Sequence, residues 1–401
     1  MIKLIRITTV PVSLHTLLKG QLSYVNRFIR VIGISSPGEM LNETKSREGI
    51  DVFSVKMKRK PSPLIDIISI FRLYKKMKEE KPDIVHTHTP KAGMCGMIAA
   101  RLSKVPIRIH TVAGMPLMES VGIKRKLFLF IERLTYNCAS LVLPNSNGLY
   151  EFILSEKLVS CDKSEVIGFG SSNGIDTSFF SIDKIMPHTK VLLREKYTIR
   201  QDDVVLLFVG RLVGDKGINE LVASFKNIQQ KHSNLKLLLV GPREDHLDPL
   251  ESETINEILN NPYIVEAGWQ GDVRPFMAIS DMLVFPSYRE GFPNVVMQAG
   301  AMGLPSIVTD INGCNEIIVN DQNGVIIPPK DSQALTKACL NLIEDDNKRI
   351  RYASCAREMI QNRYEQQYVW SKMLKMYKEQ LDKAGVKNSI VIPSYECISR
   401  K

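Results

Sequence analysis

Short apolar runs alternate with helix-length segments along most of the chain. In its first part the helix-length segments include residues 64–80 and 93–103. The runs between them have the length and composition of buried strands: IKLIRI (2–7), FIRVIGIS (28–35), DIVHTHT (83–89), IRIHTV (107–112), SLVLPNS (140–146) and EVIGFGS (165–171). This alternation predicts a parallel β-sheet covered by helices.

The alternation pauses near Gly174 and then starts again. Residues 171–189 are rich in turn-forming residues and have no periodicity, which is typical of an interdomain linker. The strands predicted beyond it are DVVLLFVG (203–210), LKLLLVG (235–241), YIVEAG (263–268), DMLVFPS (281–287) and PSIVTD (305–310). We therefore expect an α/β protein with two Rossmann-like, doubly wound domains in tandem.

The end of the chain contains one more helical segment. Residues 362–381 have the spacing of a single amphipathic helix. The predicted organisation is a first domain over 1–175, a second over 176–365, a crossover helix over 366–384 and a tail over 385–401.

Composition agrees with two ordinary globular cores. Of the 401 residues, 44% are hydrophobic and 24% are charged, and the formal net charge is +10. That charge fits an anionic small molecule, an anionic membrane surface or nucleic acid. The basic clusters at 56–60, 75–81 and 123–126 contain few aromatic residues, which disfavours nucleic acid.

Cysteine usage and hydropathy bear on the compartment. The seven cysteines form no C-x-x-C pair, so neither a zinc site nor a disulfide framework is indicated, and a reducing cytosol is expected. The first ten residues lack the apolar core of a signal peptide, and no run approaches the roughly 20 apolar residues of a membrane span. We expect a cytoplasmic protein that reaches any membrane from the cytosolic side.

Candidate chemistry follows the strands of the second domain, because ligands of open parallel sheets bind beyond the carboxyl ends of the strands. Gly210 ends one strand, Arg211 follows it, and Lys216 precedes Gly217 where the next helix begins. Two cations beside a helix N-terminus predict a phosphate site, since the free N–H groups and the helix dipole also attract an anion.

A second loop has the same organisation. The stretch YREGFPNVVMQAG (288–300) follows a strand, places Glu290 in a turn and begins a helix near Asn294. Glu290 can accept hydrogen bonds from sugar hydroxyls, and Gln298, on the helix, can reach a vicinal diol such as ribose. The chain contains no Asp-x-Asp triplet. We therefore expect the charge of a diphosphate to be neutralised by Arg211, Lys216 and helix dipoles, without a metal ion.

These motifs resemble glycosyltransferase family 4, the retaining enzymes of GT-B architecture. The resemblance covers roughly residues 80–380. It implies two domains facing each other across a cleft, with the C-terminal helix returning to the first domain. It also implies that the second domain binds a UDP-activated sugar and the first holds the acceptor. The segments that carry it are GR followed by DKG, PSYREGFPNVVMQAGAMGLP, NDQNGVIIPP and DIVHTHTPKAGMCGMIAARLSKVPIRIHTVAGM.

The family's roles can be assigned where the motifs match. The resemblance implies that Arg211 and Lys216, after Gly210, hold the donor diphosphate and stabilise the leaving nucleotide. It implies that Glu290 binds hydroxyls of the donor sugar. Backbone amides would line the sugar and phosphate, and a further segment would lie against the base; these are Gly291, Phe292, Asn294 and Val295, and then Gly268, Trp269 and Gln270.

The sequence departs from the family at two positions. The acid that binds ribose in the family is Gln298 here, whose amide can accept one hydrogen bond and donate another. Many members carry a histidine that touches the donor sugar, and Ala113 fills that place. His110, three residues earlier, and Glu119, further along the chain, are the candidate replacements. The Gly-Gly loop common after the first strand is absent, which leaves the acceptor loop undefined.

His86, His88 and Lys91 form a separate candidate group. They lie where a strand meets a helix, so they could contact an acceptor phosphate. Two histidines at i and i+2 could also bind a metal ion, although the sequence shows no third ligand.

The resemblance implies a reaction and its partners. A single well-placed acid fits front-face displacement, in which the leaving diphosphate helps to deprotonate the incoming hydroxyl. The expected acceptor is a glycan on undecaprenyl diphosphate in surface polysaccharide biosynthesis, reached from the cytoplasmic face of the inner membrane, with no cofactor. The alternatives are a UDP-sugar epimerase or hydrolase, a soluble transferase to a small sugar phosphate, and a non-catalytic scaffold. The sequence leaves open the donor sugar, the linkage and the oligomeric state.

Overall fold

The computed structural model describes residues 1–60, 62–244 and 248–393, which form two compact units. The first unit contains the described residues of 1–174 and 366–393, and the second contains those of Ile175–Glu365. The part of the predicted tail beyond residue 393 lies outside the described residues.

A six-stranded parallel sheet forms the centre of the first unit, in the order β3-β2-β1-β4-β5-β6. Its strands are β1 (Lys3–Ile7), β2 (Arg30–Ser35), β3 (Asp51–Ser54), β4 (Ile84–His88), β5 (Ile107–Val112) and β6 (Leu141–Pro144). Ile5 of β1 pairs with both Ile32 and Val85. The chain order reverses between β1 and β4, so the loops after these two strands meet at the switch point of the sheet.

Helices cover both faces of this sheet because its central strands are buried on both sides. They are α1 (Pro11–Leu17), α2 (Gln21–Asn26), α3 (Glu39–Glu48), α4 (Pro63–Glu80), α5 (Pro90–Leu102), α6 (Gly122–Cys138) and α7 (Asn147–Ser155). Leu4 packs into the core that contains α1 and α2, whereas its neighbour Ile5 packs into the core that contains α4, α5 and α6. Helices α4, α5 and α6 therefore form one layer on one face of the sheet.

Two features of the first unit correct the sequence interpretation. The predicted strand at 165–171 is a loop, with one bridge from Ser164 to Val142, because Gly168 and Gly170 have φ values of +59° and +97°. Strand β3 was missed because it lies at the edge of the sheet and is largely exposed, so it has no continuous apolar run.

The second unit contains a second six-stranded parallel sheet, in the order β12-β11-β10-β7-β8-β9. Its strands are β7 (Val204–Val209), β8 (Leu235–Val240), β9 (Ile264–Gly268), β10 (Met282–Phe285), β11 (Ser306–Thr309) and β12 (Gly324–Ile327). The edge strand β12 is a four-residue strand that the sequence interpretation also missed. Here the switch point lies between β7 and β10.

The helices of the second unit surround this sheet and share one core with it. They are α8 (Pro187–Lys196), α9 (Ile218–Gln229), α10 (Ser252–Asn260), α11 (Arg274–Ala278), α12 (Asn294–Ala301), α13 (Cys314–Ile317), α14 (Ser332–Ile343) and α15 (Asp346–Tyr364).

The last helical segment was predicted as one helix over 362–381, and that prediction is wrong. The helix breaks at Glu365, which has an extended ψ of 129°. Its carboxylate instead accepts hydrogen bonds from the backbone N–H of Thr177, at 3.2 Å, and from the Thr177 hydroxyl. A new helix, α16 (Gln366–Lys383), begins directly after Glu365 and packs in the first unit. This agrees with the prediction that the C-terminal helix returns to the first domain.

Helix α16 completes a buried hydrogen-bond network in the first unit. The guanidinium of Arg6 on β1 is fully buried and donates to the Tyr377 oxygen and, at 2.6 Å, to Gln21 Oε1. The Tyr377 hydroxyl lies 2.6 Å from His86 Nδ1, and His86 Nε2 lies 2.7 Å from Thr111 Oγ1. Burial lowers the pKa values of Arg6 and His86. The phenol oxygen of Tyr377 therefore forms hydrogen bonds with two buried polar groups, the guanidinium of Arg6 and the imidazole of His86.

Replacing Tyr377 with phenylalanine is expected to lower the free energy of unfolding by about 2–3 kcal/mol, because it removes the oxygen shared by Arg6 and His86. Chemical denaturation measures the change. Tyr74→Phe on α4 is the control, since its ring is partly exposed. Equal stability of the two variants would contradict a structural role for this network.

Candidate functional site

The candidate site of the second unit lies at the switch point of its sheet. The loop after β7 carries Lys216 in a short 3₁₀ turn (Gly214–Lys216), and the loop after β10 carries Glu290. Because β7 and β10 are adjacent in the sheet, their carboxyl ends bring these loops together.

Lys216 and Glu290 form an ion pair at the centre of this site. Lys216 Nζ donates to Glu290 Oε1 at 2.5 Å, and the Ser287 hydroxyl lies 3.1 Å from the same carboxylate oxygen and 3.4 Å from Nζ. The two charged side chains are 14% and 18% exposed. Both charges are thus largely shielded from bulk water, which strengthens the interaction between them.

Glycine makes the close approach of the two loops possible. Gly217, between Lys216 and α9, has a φ of +71°, and a Cβ placed there would lie 2.1 Å from the carbonyl oxygen of Pro286. The backbone N–H of Tyr288 donates to Asp215 O at 2.9 Å, which ties the loops together. A side chain at 217 would push them apart.

The start of α12 adds hydrogen-bond donors to the site. Among the described residues, no acceptor binds the backbone N–H of Asn294 or Val295, the first two residues of the helix. Free N–H groups at a helix N-terminus attract anions. The predicted amide positions Gly291 and Phe292 lie in the turn just before them and are half-buried.

The loop after β11 also supports this turn, and the sequence interpretation missed it. The side-chain amide of Asn312 donates to the carbonyl oxygens of Glu290, at 3.2 Å, and Gly291, at 2.6 Å. Gly313 packs so tightly that a Cβ there would lie 2.6 Å from Gly291 O. The sequence did contain a signal for this loop, because the pair Asn312-Gly313 follows the predicted strand at 305–310. That strand ends at the same edge of the sheet as the strands before Lys216 and Glu290.

Gln298 lies on α12 with its side chain half-buried. Within the described part of the chain, its side-chain amide makes no hydrogen bond to protein. The group is therefore available to a ligand that offers both a donor and an acceptor, as a vicinal diol does.

Arg211 follows β7 by two residues and is paired with a different carboxylate from Lys216. Its Nη1 donates to Glu244 Oε2 at 3.0 Å, and its side chain is 39% exposed. Before it, the carbonyl oxygen of Gly210 faces Gly241, where a Cβ would lie only 1.8 Å away. Arg211 is thus held by a carboxylate that the sequence interpretation did not include.

The segment predicted to lie against a base follows β9. Gly268 has a φ of +66°, and the chain turns there. Trp269 is 72% exposed, and the Gln270 side chain donates to Ala267 O at 2.7 Å. An exposed indole offers a flat apolar surface for stacking.

His110, the candidate catalytic histidine, lies in β5 of the first unit and is enclosed by protein. It is 2% exposed, and its Nδ1 lies 2.8 Å from Thr87 Oγ1. A Cβ on Gly93 would lie 2.3 Å from the ring, so the helix backbone packs directly against it. Burial lowers the pKa of His110 to about 4, so the imidazole is neutral at pH 7. Its catalytic role stays a prediction, and its enclosure disfavours direct contact with a substrate.

The other two candidate histidines, His86 and His88, do not line an accessible site. His86 and His88 are 0% and 2% exposed, and their rings stack with centroids 4.4 Å apart. Their burial argues against the suggested contact with an acceptor phosphate. Across residues 1–60, 62–244 and 248–393, no group of three or more His, Cys, Asp or Glu side chains could hold a metal ion.

The first unit has a cavity of about 410 Å³ at its own switch point. Thr9, after β1, and Thr89, after β4, both line it, and their hydroxyl oxygens lie 2.7 Å apart. Lys91 also lines the cavity and pairs with the buried Asp66 at 2.6 Å. Apolar side chains form much of the remaining wall: Met94, Leu117, Phe128 and Ile131.

Glu132 on α6 also lines this cavity and is buried. Burial raises the pKa of Glu132 to about 7. The carboxyl group can therefore donate or accept a hydrogen bond near neutral pH.

The fold contains two doubly wound parallel sheets with a polar site at the switch point of each, and sequence comparison identifies the family. The chain belongs to the glycosyltransferases: residues 190–359 match the model described as glycosyl transferases group 1, and residues 25–170 match the glycosyl transferase 4-like domain. The family predicted from the motifs is confirmed.

Individual proteins resemble the whole chain. It is 33% identical over 377 residues to the Staphylococcus aureus capsular polysaccharide biosynthesis glycosyltransferase CapM, covering 94% of this chain and 96% of that protein. It is 30% identical over 307 residues to the Escherichia coli UDP-Gal:alpha-D-GlcNAc-diphosphoundecaprenol alpha-1,3-galactosyltransferase, covering 75% and 77%.

A solved structure shows the same architecture. The crystal structure of Anabaena Alr3699/HepE in complex with UDP aligns with a TM-score of 0.78 at 19% identity, covering 94% of this chain and 100% of that one. The predicted GT-B fold, with two doubly wound parallel sheets, is confirmed.

Proposed function

We propose that this protein is a retaining glycosyltransferase that moves a sugar from a UDP-sugar to a glycan on a lipid diphosphate carrier, in the biosynthesis of a surface polysaccharide. The observation that carries the proposal is the Lys216–Glu290 pair at the switch point of the second sheet. Beside it lie the first amides of α12, which have no acceptor among the described residues. Lysine and amides suit a diphosphate, and a carboxylate suits sugar hydroxyls.

Donor binding would redistribute the contacts of this pair. Lys216 would donate to an oxygen of the diphosphate, and its positive charge would stabilise the leaving UDP as negative charge develops. Glu290 would accept hydrogen bonds from hydroxyls of the transferred sugar. Arg211 would exchange Glu244 for phosphate, and the exposed Trp269 would stack on the base.

We propose retention because the family that the motifs resemble retains configuration at the transferred sugar, and the single well-placed acid, Glu290, bears on how retention is achieved. Retaining hydrolysis through a covalent intermediate needs two carboxyl groups about 5 Å apart across the reacting bond. Asp215, which follows β7, is held by Arg289 at 2.8 Å. We therefore propose front-face displacement, in which a leaving diphosphate oxygen takes the proton of the incoming hydroxyl and the protein supplies positioning.

The proposed chemistry uses no cofactor and no metal ion. The cations of Lys216 and Arg211 and the amides of α12 would neutralise the diphosphate in place of a divalent ion. UDP is the proposed nucleotide because the E. coli relative is named for UDP-Gal.

The acceptor is proposed to bind in the first unit. Its cavity combines the bases Arg59 and Lys91 with an apolar wall, as a phosphorylated, lipid-linked glycan requires. The name of the E. coli relative specifies a diphosphoundecaprenol acceptor, and that of the S. aureus relative specifies capsule biosynthesis. The protein would then work at the cytoplasmic face of the inner membrane.

The experiment that tests this function is a donor screen. Purified protein is incubated with a panel of UDP- and GDP-sugars and with membrane extract as acceptor, with and without EDTA. We expect sugar transfer to lipid from one UDP-sugar at the same rate in EDTA. Turnover without acceptor would identify an epimerase or hydrolase instead, and loss of transfer in EDTA would contradict the metal-independent mechanism.

Replacing Arg211 and Lys216 together with alanine is expected to weaken UDP binding by about tenfold or more, because both proposed phosphate contacts are lost. Isothermal titration calorimetry with UDP measures the affinity. Lys226→Ala, which removes an exposed cation paired with Glu257 on the same unit, is the control. Unchanged affinity in the double variant would defeat the phosphate assignment.

Replacing Gln298 with glutamate is expected to preserve or raise activity, because a carboxylate binds ribose hydroxyls at least as strongly as an amide. Steady-state kinetics with varied donor concentration should show an unchanged or lower KM. Gln333→Glu, at an exposed position on α14, controls for the change in net charge. Complete loss of activity would show that Gln298 has another role.

A further inference from the structure

Helix α4 of the first unit has apolar residues where a soluble helix has polar ones. In the first half of the helix, Asp66 and Ser69 face inward and are only 8% and 1% exposed. Its outward stripe has helical spacing and is strongly exposed: Leu64 (78%), Ile67 (65%), Ile68 (53%) and Phe71 (65%). Water-exposed helices normally place polar residues on the outer face.

Helix α6 has the same inversion. Glu132 and Thr135 face inward and are buried. The outward stripe again follows the helical period: Ile123 (87%), Leu127 (47%), Phe130 (65%) and Leu134 (36%). Two helices of the first unit therefore leave large apolar side chains in water, and exposed apolar surface of this kind marks an interaction surface.

The two stripes belong to one layer. Both α4 and α6 pack against α5, and the inner sides of all three helices contribute to the same core. The outer surfaces of α4 and α6 thus flank α5 on one face of the first sheet. We call the two outward stripes together the inverted-helix face.

Cations accompany this face, whereas two of the four acids on its helices, Asp66 and Glu132, are buried. The exposed bases on and beside it are Lys58, Arg59, Lys60, Arg72, Lys75, Lys124, Lys126 and Arg133. Asp66 is neutralised by Lys91, and Glu132 is buried. The described exposed acid of α4, Glu79, lies in its last turn and pairs with Lys76.

We infer that the inverted-helix face binds the surface of an anionic lipid bilayer, with the apolar stripes in the interfacial layer and the bases on lipid phosphates. A second protein would satisfy the apolar stripes, but the surrounding excess of cations is complementary to a negatively charged lipid surface. Among the residues that the structure describes, no helix is long and apolar enough to cross a membrane. Binding would therefore be interfacial.

This inference builds on the proposed function, since it assigns the surface through which the enzyme reaches a lipid-linked acceptor. Arg59 and Glu132, which line the cavity of the first unit, lie beside or on the same two helices. An acceptor could thus place its phosphates and sugar in the cavity while its lipid stays in the bilayer.

The test is sedimentation with vesicles of phosphatidylglycerol and phosphatidylethanolamine, compared with vesicles of phosphatidylcholine alone. The wild-type chain is expected to sediment with the anionic vesicles and to be released by high salt. The variants Ile67→Ser with Phe71→Ser, and Leu127→Ser with Phe130→Ser, are each expected to bind about tenfold more weakly or worse. Val191→Ser with Leu192→Ser on α8, where the side chains are 53% and 50% exposed, is the matched control.

Each outcome decides the inference. Sedimentation lost in both patch variants and kept in the control supports it. A wild-type chain that stays in the supernatant, or patch variants that sediment like wild type, overturns it. A dimer in gel filtration that separates on substitution of the patch, without vesicle binding, assigns the face to a second copy. UDP titration of the same proteins separates this question from the proposed function, because the donor site lies in the other unit.

Discussion

Replacing Glu290 with glutamine is expected to lower the rate of sugar transfer by roughly a hundredfold or more while the fold stays intact. The amide keeps the shape of the side chain but removes the charge that orients Lys216 and accepts hydrogen bonds from sugar hydroxyls. Because the pair is partly exposed, the free energy of unfolding should fall by less than about 2 kcal/mol. Transfer assays and thermal unfolding of the same preparation separate the two effects.

Glu80→Gln is the matched control for this substitution. Glu80 is 17% exposed, against 18% for Glu290, and it binds Lys76 at 2.9 Å. Its replacement should have a similar small effect on stability and none on transfer. Wild-type activity in the Glu290 variant would reject its assigned role, and loss of activity in both variants would point to a general loss of structure.

Replacing Gly217 with alanine is expected to destabilise the second unit by about 3 kcal/mol or more and to abolish most donor binding. The left-handed φ of +71° disfavours any side chain, and the new Cβ would lie 2.1 Å from Pro286 O. The backbone must move, which separates Lys216 from Glu290. Denaturant unfolding and calorimetry with UDP measure the two consequences.

The control Gly49→Ala separates the effect of backbone strain at a positive φ from the effect of a steric clash with the new Cβ. Gly49 has a similar φ of +63°, but a Cβ there would meet no heavy atom within 4 Å. This control should lose only about 1 kcal/mol and bind UDP normally. If the Gly217 variant behaves in the same way, the close contact with Pro286 does not hold the two loops in place.

The fold was largely predictable because both sheets are parallel and buried. Central strands such as β7 and β10 are continuous apolar runs, and that pattern can be recognised in the sequence without knowledge of tertiary contacts. The edge strands β3 and β12 were missed because an edge needs no such run. The break at Glu365 was missed because a hydrogen bond from Thr177, distant in sequence, determines it.

The candidate site was predictable to the level of its loops. Lys216 and Glu290 were identified because each follows a buried strand. Their direct pairing, and the support from Asn312, depend on the order of strands in the sheet, which the sequence pattern does not give. His110 shows the opposite case: its position near a strand end suggested chemistry, but the burial of its ring depends on a glycine of α5 that packs against it.

The contribution of α16 to the first unit affects how the chain is made. Residues 1–174 leave the ribosome long before Gln366 and Tyr377 do. Arg6 and His86 therefore lack their shared hydrogen-bond partner, the Tyr377 phenol, while the whole second unit is synthesised. The second unit, which is contiguous in sequence, can mature first. We therefore expect that, in nascent chains that end before α16, chaperones bind the incompletely folded amino-terminal half.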